Sequence, residues 1–225
     1  MQRIITYSIL LVSLVLLAGC ARFPAGVSAT SVREMAFQIT FNGPVNDNYY
    51  YNVAIDTTGG ANGPVAVFPN PEVQAVDDWV TGSANYFVQY HARQFTLCKI
   101  TQLHPFTYMI IGAPLKYILP DPGSNELTFS VDLNSIAEIG SSLNINIITL
   151  NQLAPSGRLL DALGPRGTTF VNVGITSNRT YRNSDLGTPE AAYDVLDQNG
   201  ALFANQTDPQ VTPLDITDWS IVVNK

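Results

Sequence analysis

The sequence predicts an all-β fold, an antiparallel β-sandwich of immunoglobulin-like or jelly-roll-like type with one or two short helices, placed after an N-terminal signal helix. Three observations carry that prediction. Short runs rich in Val, Ile, Phe, Tyr and Thr alternate with polar residues at a period of two, which is the side-chain period of a strand. Gly, Pro, Asn and Asp separate these runs, and each is a residue that turns require for its own steric or hydrogen-bonding reason. Helix signals are confined to three brief stretches, none with an apolar face long enough for a bundle.

The first element in chain order is the leader. Arg3 precedes an apolar run from Ile4 to Leu17, broken only by Thr6, Tyr7, Ser8 and Ser13, and Ala18 and Gly19 then lead to Cys20. The run falls short of the roughly 20 residues that a bilayer-crossing helix needs, and Ala21, Arg22, Phe23 and Pro24 form no charged stop-transfer flank. This is the plan of a signal peptide. Leu17-Ala18-Gly19-Cys20 resembles the lipobox of bacterial lipoproteins at all four positions. The resemblance implies that diacylglycerol is joined to the Cys20 thiol, that the leader is cut just before it, and that the new amine is acylated. It also implies passage to the outer membrane where a cell has two, because Ala21 stands where an aspartate would retain the protein. Two or three acyl chains anchor a protein stably, since each buried methylene contributes about 0.8 kcal/mol. The expected organisation is a signal peptide over 1–19, a lipidated Cys20 with a flexible tether over 20–34, and one β-sandwich domain over 35–225.

The strands follow. "MAFQITFNG" places Phe37, Ile39 and Phe41 on one face and ends in the turn residues Asn42-Gly43-Pro44. "YYYNVAID" puts Tyr49, Tyr51, Val53 and Ile55 on a core face and Tyr50, Asn52, Ala54 and Asp56 on the other. "GSANYFVQYHARQFTLCKI" reads as two strands joined near His91 to Gln94, and "FTYMIIG", "NELTFSVDL", "LNINIITL", "TTFVNVGI" and "DWSIVV" continue the style. In the last of these Trp219 alternates with Ile221 and belongs to the core. A short helix is expected from Thr188 as N-cap through Pro189 to Gly200, and single turns after Asp132 and between Gly157 and Gly164.

Taken together, "ITFNG", "VAIDTTGGANGP", "ANYFVQY", "LTFSVDLNSI" and "DITDWSIVV" resemble the β-sandwiches of the DOMON and family 9 carbohydrate-binding-module group. That likeness implies a sandwich that binds a sugar, or haem and a redox partner. The long connection "TGGANGPVAVFPNPEVQAVDDWVTGS" departs from the group's plan, and no His/Met pair matches haem ligands.

Composition narrows the function. Eighteen acids against eleven bases give a net charge of −7 with no basic stripe, which excludes nucleic acid as a natural partner. With Cys20 lipidated, Cys98 has no partner in the chain and reads as a buried thiol. Nucleophile elbows, phosphate loops and His-Glu-x-x-His or Cys-x-x-Cys motifs are absent, and His91 and His104 are too few for a multi-histidine centre. No cofactor is expected. Calcium is the only chemistry that "VNDNYY" and "LDQNGA" suggest, and neither spaces its oxygens like the twelve-residue calcium loop. Glycoside chemistry needs two carboxylates across a sugar-sized gap, for which Asp56, Asp77, Asp78, Glu126 and Asp132 are the candidates.

The ligand-binding expectation rests on rings beside hydrogen-bonding groups, because sugars stack apolar faces on aromatic rings while their hydroxyls seek amides and carboxylates. Tyr50, in line with Asn52 and Asp56 on the non-core face of its strand, is one such platform. Trp79, beside Asp77 and Asp78, is another. The sequence thus supports a non-catalytic, lipid-anchored envelope protein exposed outside the cytoplasm, with membrane lipid as one partner and a glycan or an envelope protein as the other. A structural or assembly lipoprotein that contacts its partner through a sheet edge or apolar patch, and a glycoside-active enzyme, are the alternatives. Replacing Cys20 by Ser should move the protein from the membrane pellet into the soluble fraction or leave its leader uncut; unchanged membrane extraction and an unmodified native sulfur by mass spectrometry would remove the anchor.

Overall fold

The computed structural model describes residues 32–68, 78–136, 140–188 and 190–225. The leader, Cys20, the tether up to residue 31, Asp77 and Pro189 lie outside the described residues. Among those described, the strands are β1 (Glu34–Phe41), β2 (Tyr50–Asp56), β3 (Pro64–Ala66), β4 (Val80–Gly82), β5 (Tyr86–His91), β6 (Gln94–Gln102) and β7 (Thr107–Gly112). They continue with β8 (Lys116–Ile118), β9 (Glu126–Asp132), β10 (Ser142–Leu150), β11 (Leu160–Ala162), β12 (Val171–Gly174), β13 (Arg179–Arg182) and β14 (Ile216–Asn224). The fold is all-β, and its sheets pack in sandwich-like layers.

One sheet runs β13-β14-β1-β9-β8 and the other β11-β10-β2-β5-β6-β7, with β12 sharing the β10 edge with β11. The pairings are antiparallel. The β5–β6 hairpin closes through Ala92 and Arg93, both at positive φ without a glycine. Asp47 supports that costly turn: its carbonyl accepts from the Ala92 N–H at 2.7 Å and its carboxylate pairs with Arg93 at 3.3 Å.

The core between the sheets is built as strand alternation predicts. Phe37, Ile39 and Phe41 of β1 meet Tyr51, Val53 and Ile55 of β2, with Trp219 and Ile221 of β14 on the same side. Tyr49 is partly buried against this core. Phe37 stacks on Phe129 at 4.8 Å, and Phe41 meets Tyr51 edge-on at 4.9 Å.

A second core covers the outer face of the seven-stranded sheet. Ala54, Phe87, Cys98, Ile148 and Leu150 from that face pack against Trp79, Val80, Ala66 and Leu160. The β3–β4 ribbon and the turn at residues 165–167 form its roof. Asn146 on β10 fastens this roof: its amide donates to the carbonyls of Pro64 and Gly167 at 3.1 and 3.3 Å, and its oxygen accepts from the Leu163 N–H at 3.2 Å. Gly167 permits the approach, because a Cβ there would stand 2.7 Å from that of Ala66 and 2.9 Å from that of Ala162.

Two helix expectations are corrected. Gly157 to Gly164 contains strand β11, paired with Ile148 to Leu150 of β10, because an open edge of β10 supplies partners that an isolated turn lacks. Among the described residues from Thr188 to Gly200 the helical stretch is a 3-10 turn at Glu190–Ala192, after which Leu196 bridges to Leu160 and Leu202. Val195 is buried and Leu196 is held by these isolated bridges, so tertiary pairing overrides the capping signal. The turn after Asp132 is present as Leu133–Ser135, with the Asp132 carboxylate accepting from the Asn134 N–H.

Asn146→Ala leaves buried carbonyls and an N–H unmatched, so a loss of about 3–5 kcal/mol is expected. Urea unfolding in a Trp219→Phe background, where Trp79 alone reports, should show the roof loosening first; an unchanged midpoint would remove Asn146 from this role.

Candidate functional site

Of the four side chains that the sequence offers as a sugar platform, Asn52, Asp56 and Trp79 are withdrawn from solvent and Tyr50 keeps part of its surface exposed. Tyr50 is half-buried and lies flat on His91, 3.9 Å between ring centroids with planes 9° apart. Asn52 and Asp56 point away from the sandwich core as alternation requires, yet both are fully buried because the roof covers that face. The Asn52 oxygen accepts from Gln89 at 2.9 Å. Asp56 accepts from the backbone and hydroxyl of Thr58 and from Asn144 at 3.2 Å, which binds the loop after β2 to β10. Trp79 is 2% exposed and sits edge-on to Phe87 and Phe106, in the middle of the second core. A ring enclosed by other rings cannot receive a sugar face.

The glycosidase candidates are divided between layers. Asp56 and Asp78 belong to the roofed side, whereas Glu126 and Asp132 belong to β9 in the other sheet. Asp78 is buried and accepts from His104 Nδ1 at 2.6 Å and from the Phe106 N–H at 2.8 Å, so it fastens residues 104–106 to the ribbon. Both calcium-suggestive runs use their oxygens locally: Asp47 accepts from the Tyr90 hydroxyl and Arg93, and Asp197 from the N–H groups of Asn199 and Ala201. Among the described residues, no group of three or more His, Cys, Asp or Glu is placed to hold a metal ion. Cys98 is buried in the second core, and that burial pushes its thiol up.

An acidic group that sequence reasoning missed lies beside β11. Asp161, Glu190 and Asp215 are buried near one another, next to a groove of about 240 Å³ bordered by Asp161, Gly164, Arg166 and Tyr193. Asp161 accepts from the N–H groups of Ile216 and Ala162 at 2.7 and 2.9 Å, and Glu190 from that of Gly164 at 2.8 Å. Desolvation raises all three carboxyls above their ordinary range, and the charge of Asp215 raises Asp161 and Glu190 further. Glu190 is pushed up to about 7, and its Oε2 is buried without a hydrogen-bond partner. These contacts bind the chain before β14 to β11.

The most unusual surface is the edge formed by β7 and β8. Of the ten large apolar side chains exposed among the described residues, eight fall between Tyr108 and Leu119, so the exposure is concentrated. On β7 they are Tyr108, Met109, Ile110 and Ile111, and every residue of that strand is exposed. Tyr108 and Ile110 stand opposite Ile100 and Cys98, on the roofed face, while Met109 stands opposite Lys99 on the reverse. Leu115, Tyr117, Ile118 and Leu119 continue the surface along β8.

Each strand is the last of its sheet. Only Ala113, Pro114 and Leu115 connect them, and a link that short, crossing between sheets about 10 Å apart, must keep both edges on one side of the sandwich. Tyr117 confirms the proximity, with its ring 5.3 Å from that of Phe95 on β6. Edge strands are ordinarily guarded by charges, prolines or bulges that turn them away. Here β7 has neither charge nor proline, its only irregularities being register shifts against β6 at its two ends, and Lys116 on β8 is engaged by Glu34 at 2.8 Å.

No family model, curated protein or solved structure matches the chain. The role of this surface therefore follows from its own chemistry: apolar side chains on both faces of a strand whose outer N–H and C=O groups have no strand beside them. A signal for it was present in the run "YMIIGAPLKYIL", which has three consecutive apolar residues after its tyrosine where a half-buried strand would alternate.

The acidic group gives a pH dependence of definite sign. Because the folded-state value of Glu190 lies above its unfolded value, the folded chain retains a proton that the unfolded chain releases. The contribution of Glu190 to stability is then fully present below about pH 4.5 and is lost as pH rises through about 7. Glu190→Gln should reduce the difference in unfolding free energy between pH 5 and pH 8 by roughly 2 kcal/mol, measured by urea titration at each pH. An undiminished difference would assign the dependence to other groups.

Proposed function

We propose that this chain is a lipid-anchored, non-catalytic protein of a bacterial cell envelope that docks a protein partner along its β7–β8 edge. The observation that carries the reading is the concentration of exposed apolar side chains on two terminal strands of the sandwich. Soluble monomers rarely leave contiguous apolar patches above a few hundred Å² in water, and larger ones mark interaction sites. A strand with a free edge adds main-chain hydrogen bonding to that apolar attraction, which is how extended segments are recognised by strand addition.

The anchor is supported by Leu17-Ala18-Gly19-Cys20 after an apolar run. The acidic balance of −7 and the lack of a basic stripe favour a protein over a nucleic acid. The likeness to DOMON and family 9 sandwiches favours binding over turnover. The position of the edge fits an anchored protein as well. Glu34, where β1 begins and the expected tether ends, is ion-paired with Lys116 on β8, so the chain enters the sandwich beside the docking surface.

A photo-crosslinking residue placed at Ile110 or Ile118 in intact cells should give one adduct of discrete mass. The yield should be about tenfold above that from exposed Asn178, which lies before β13 on the opposite side of its sheet. Equal labelling at the three positions, or no adduct at the two edge positions, would overturn docking at this surface.

A further inference from the structure

The occupant of the edge can be inferred from its symmetry, charge and size. We propose that the partner is a second copy of this chain, whose β7 pairs antiparallel with the first β7 about a two-fold axis and joins the two larger sheets into one. This rests on the docking reading above and names the partner for the same surface.

Symmetry comes first. A two-fold axis through an edge strand places the same strand against itself in the opposite direction, and this is the geometry in which antiparallel hydrogen bonds form. Among the described residues β7 has one edge bonded to β6 and the other free; its register with β6 is unbroken from Tyr108 to Ile110, and it contains no proline. Gly112 ends the strand.

Charge points the same way. A chain at −7 repels its own copies over most of its surface, so self-association requires a face without acids. No Asp or Glu occurs from Trp79 to Pro120, and no charged residue of either sign from Pro105 to Leu115. Self-pairing across β7 therefore brings no residue against a twin of like charge.

The size of the patch also suits a dimer. Free side chains of this class present roughly 200 Å² each, and eight of them, about half exposed, offer on the order of 800 Å² per chain. That reaches one partner's share of a standard stable interface when the β8 side chains are covered along with those of β7. A lipid leaflet fits less well. The free N–H and C=O groups of β7 would enter hydrocarbon without partners, and the edge has no basic cluster for anionic headgroups.

The test uses the full chain in cells making two differently tagged copies. In a Cys98→Ala background, single cysteines replace Thr107, Tyr108, Met109, Ile110, Ile111 and Gly112 in turn, and a mild oxidant is added before non-reducing electrophoresis. Pairing about a two-fold axis brings only the residues near the axis against their twins. Tag-to-tag disulfide should therefore peak at Met109 or Ile110 and fall about tenfold at Thr107 and Gly112. Adding Ile111→Lys to the best position should suppress it by a similar factor, with near-ultraviolet circular dichroism confirming that the fold is kept.

No tag-to-tag product at any of the six positions would overturn the dimer, as would equal product at all six, which reports collision in the membrane plane. The crosslinker at Ile110 separates this failure from that of the broader reading. An adduct with a different protein leaves docking intact and removes the second copy, adducts with lipid alone remove both, and no adduct removes both.

Discussion

The outer face of the seven-stranded sheet sets the terms for the rest of the molecule. It carries Asn52, Asp56, Asn144 and Asn146 beside Ala54, Phe87, Ile148 and Leu150, and all of these are buried. An unmatched amide or carboxylate in such a place costs several times what a made hydrogen bond contributes. Whatever covers this face must therefore supply both apolar contact and partners for the polar groups. The β3–β4 ribbon, the 165–167 turn and the loop after β2 supply most of them: Asn146 reaches Pro64 and Gly167, and Asn144 reaches Gly60 and Asp56.

That constraint explains where binding chemistry is absent and where it remains. Polar groups occupied by the roof have little hydrogen-bonding capacity left for a ligand, and Trp79 is spent on holding Phe87 and Phe106. The roof does not extend over β7, and the smaller sheet does not shield β8. The seven-stranded sheet is consequently covered on its outer face and open along one narrow side, where apolar side chains and strand edges coincide. Protein surfaces of that kind are closed by other polypeptide, because water satisfies the backbone but not the side chains, and lipid the reverse.

Much of the strand content was legible because period-two burial leaves a direct mark on the sequence. Phe37, Ile39 and Phe41, then Tyr51, Val53 and Ile55, alternate as they do in the core, and Ala92-Arg93 falls within the turn expected between His91 and Gln94. The strands that escaped notice, β3, β4, β8, β11 and β13, span three or four residues each, too short to display a period. The candidate site was misleading for a related reason. Alternation correctly put Tyr50, Asn52 and Asp56 on the face away from the main core, but a polar residue there has the same appearance whether the face is wetted or roofed. Asp161, Glu190 and Asp215 lie far apart in the chain, and their proximity depends on the β10–β11 pairing and the entry to β14.

The sequence by itself determined the strand-forming runs, their turns, the lipobox-like close of the leader and the acidic balance. These are properties of neighbouring residues, where local sterics, periodicity and charge act within a few positions. The tertiary structure alone decided that a second layer buries Asn52, Asp56 and Trp79, that three carboxylates gather beside β11, and that β7 and β8 end their sheets on one side. Each of these depends on which distant segment covers a given face, and a side chain carries no local record of what lies above it.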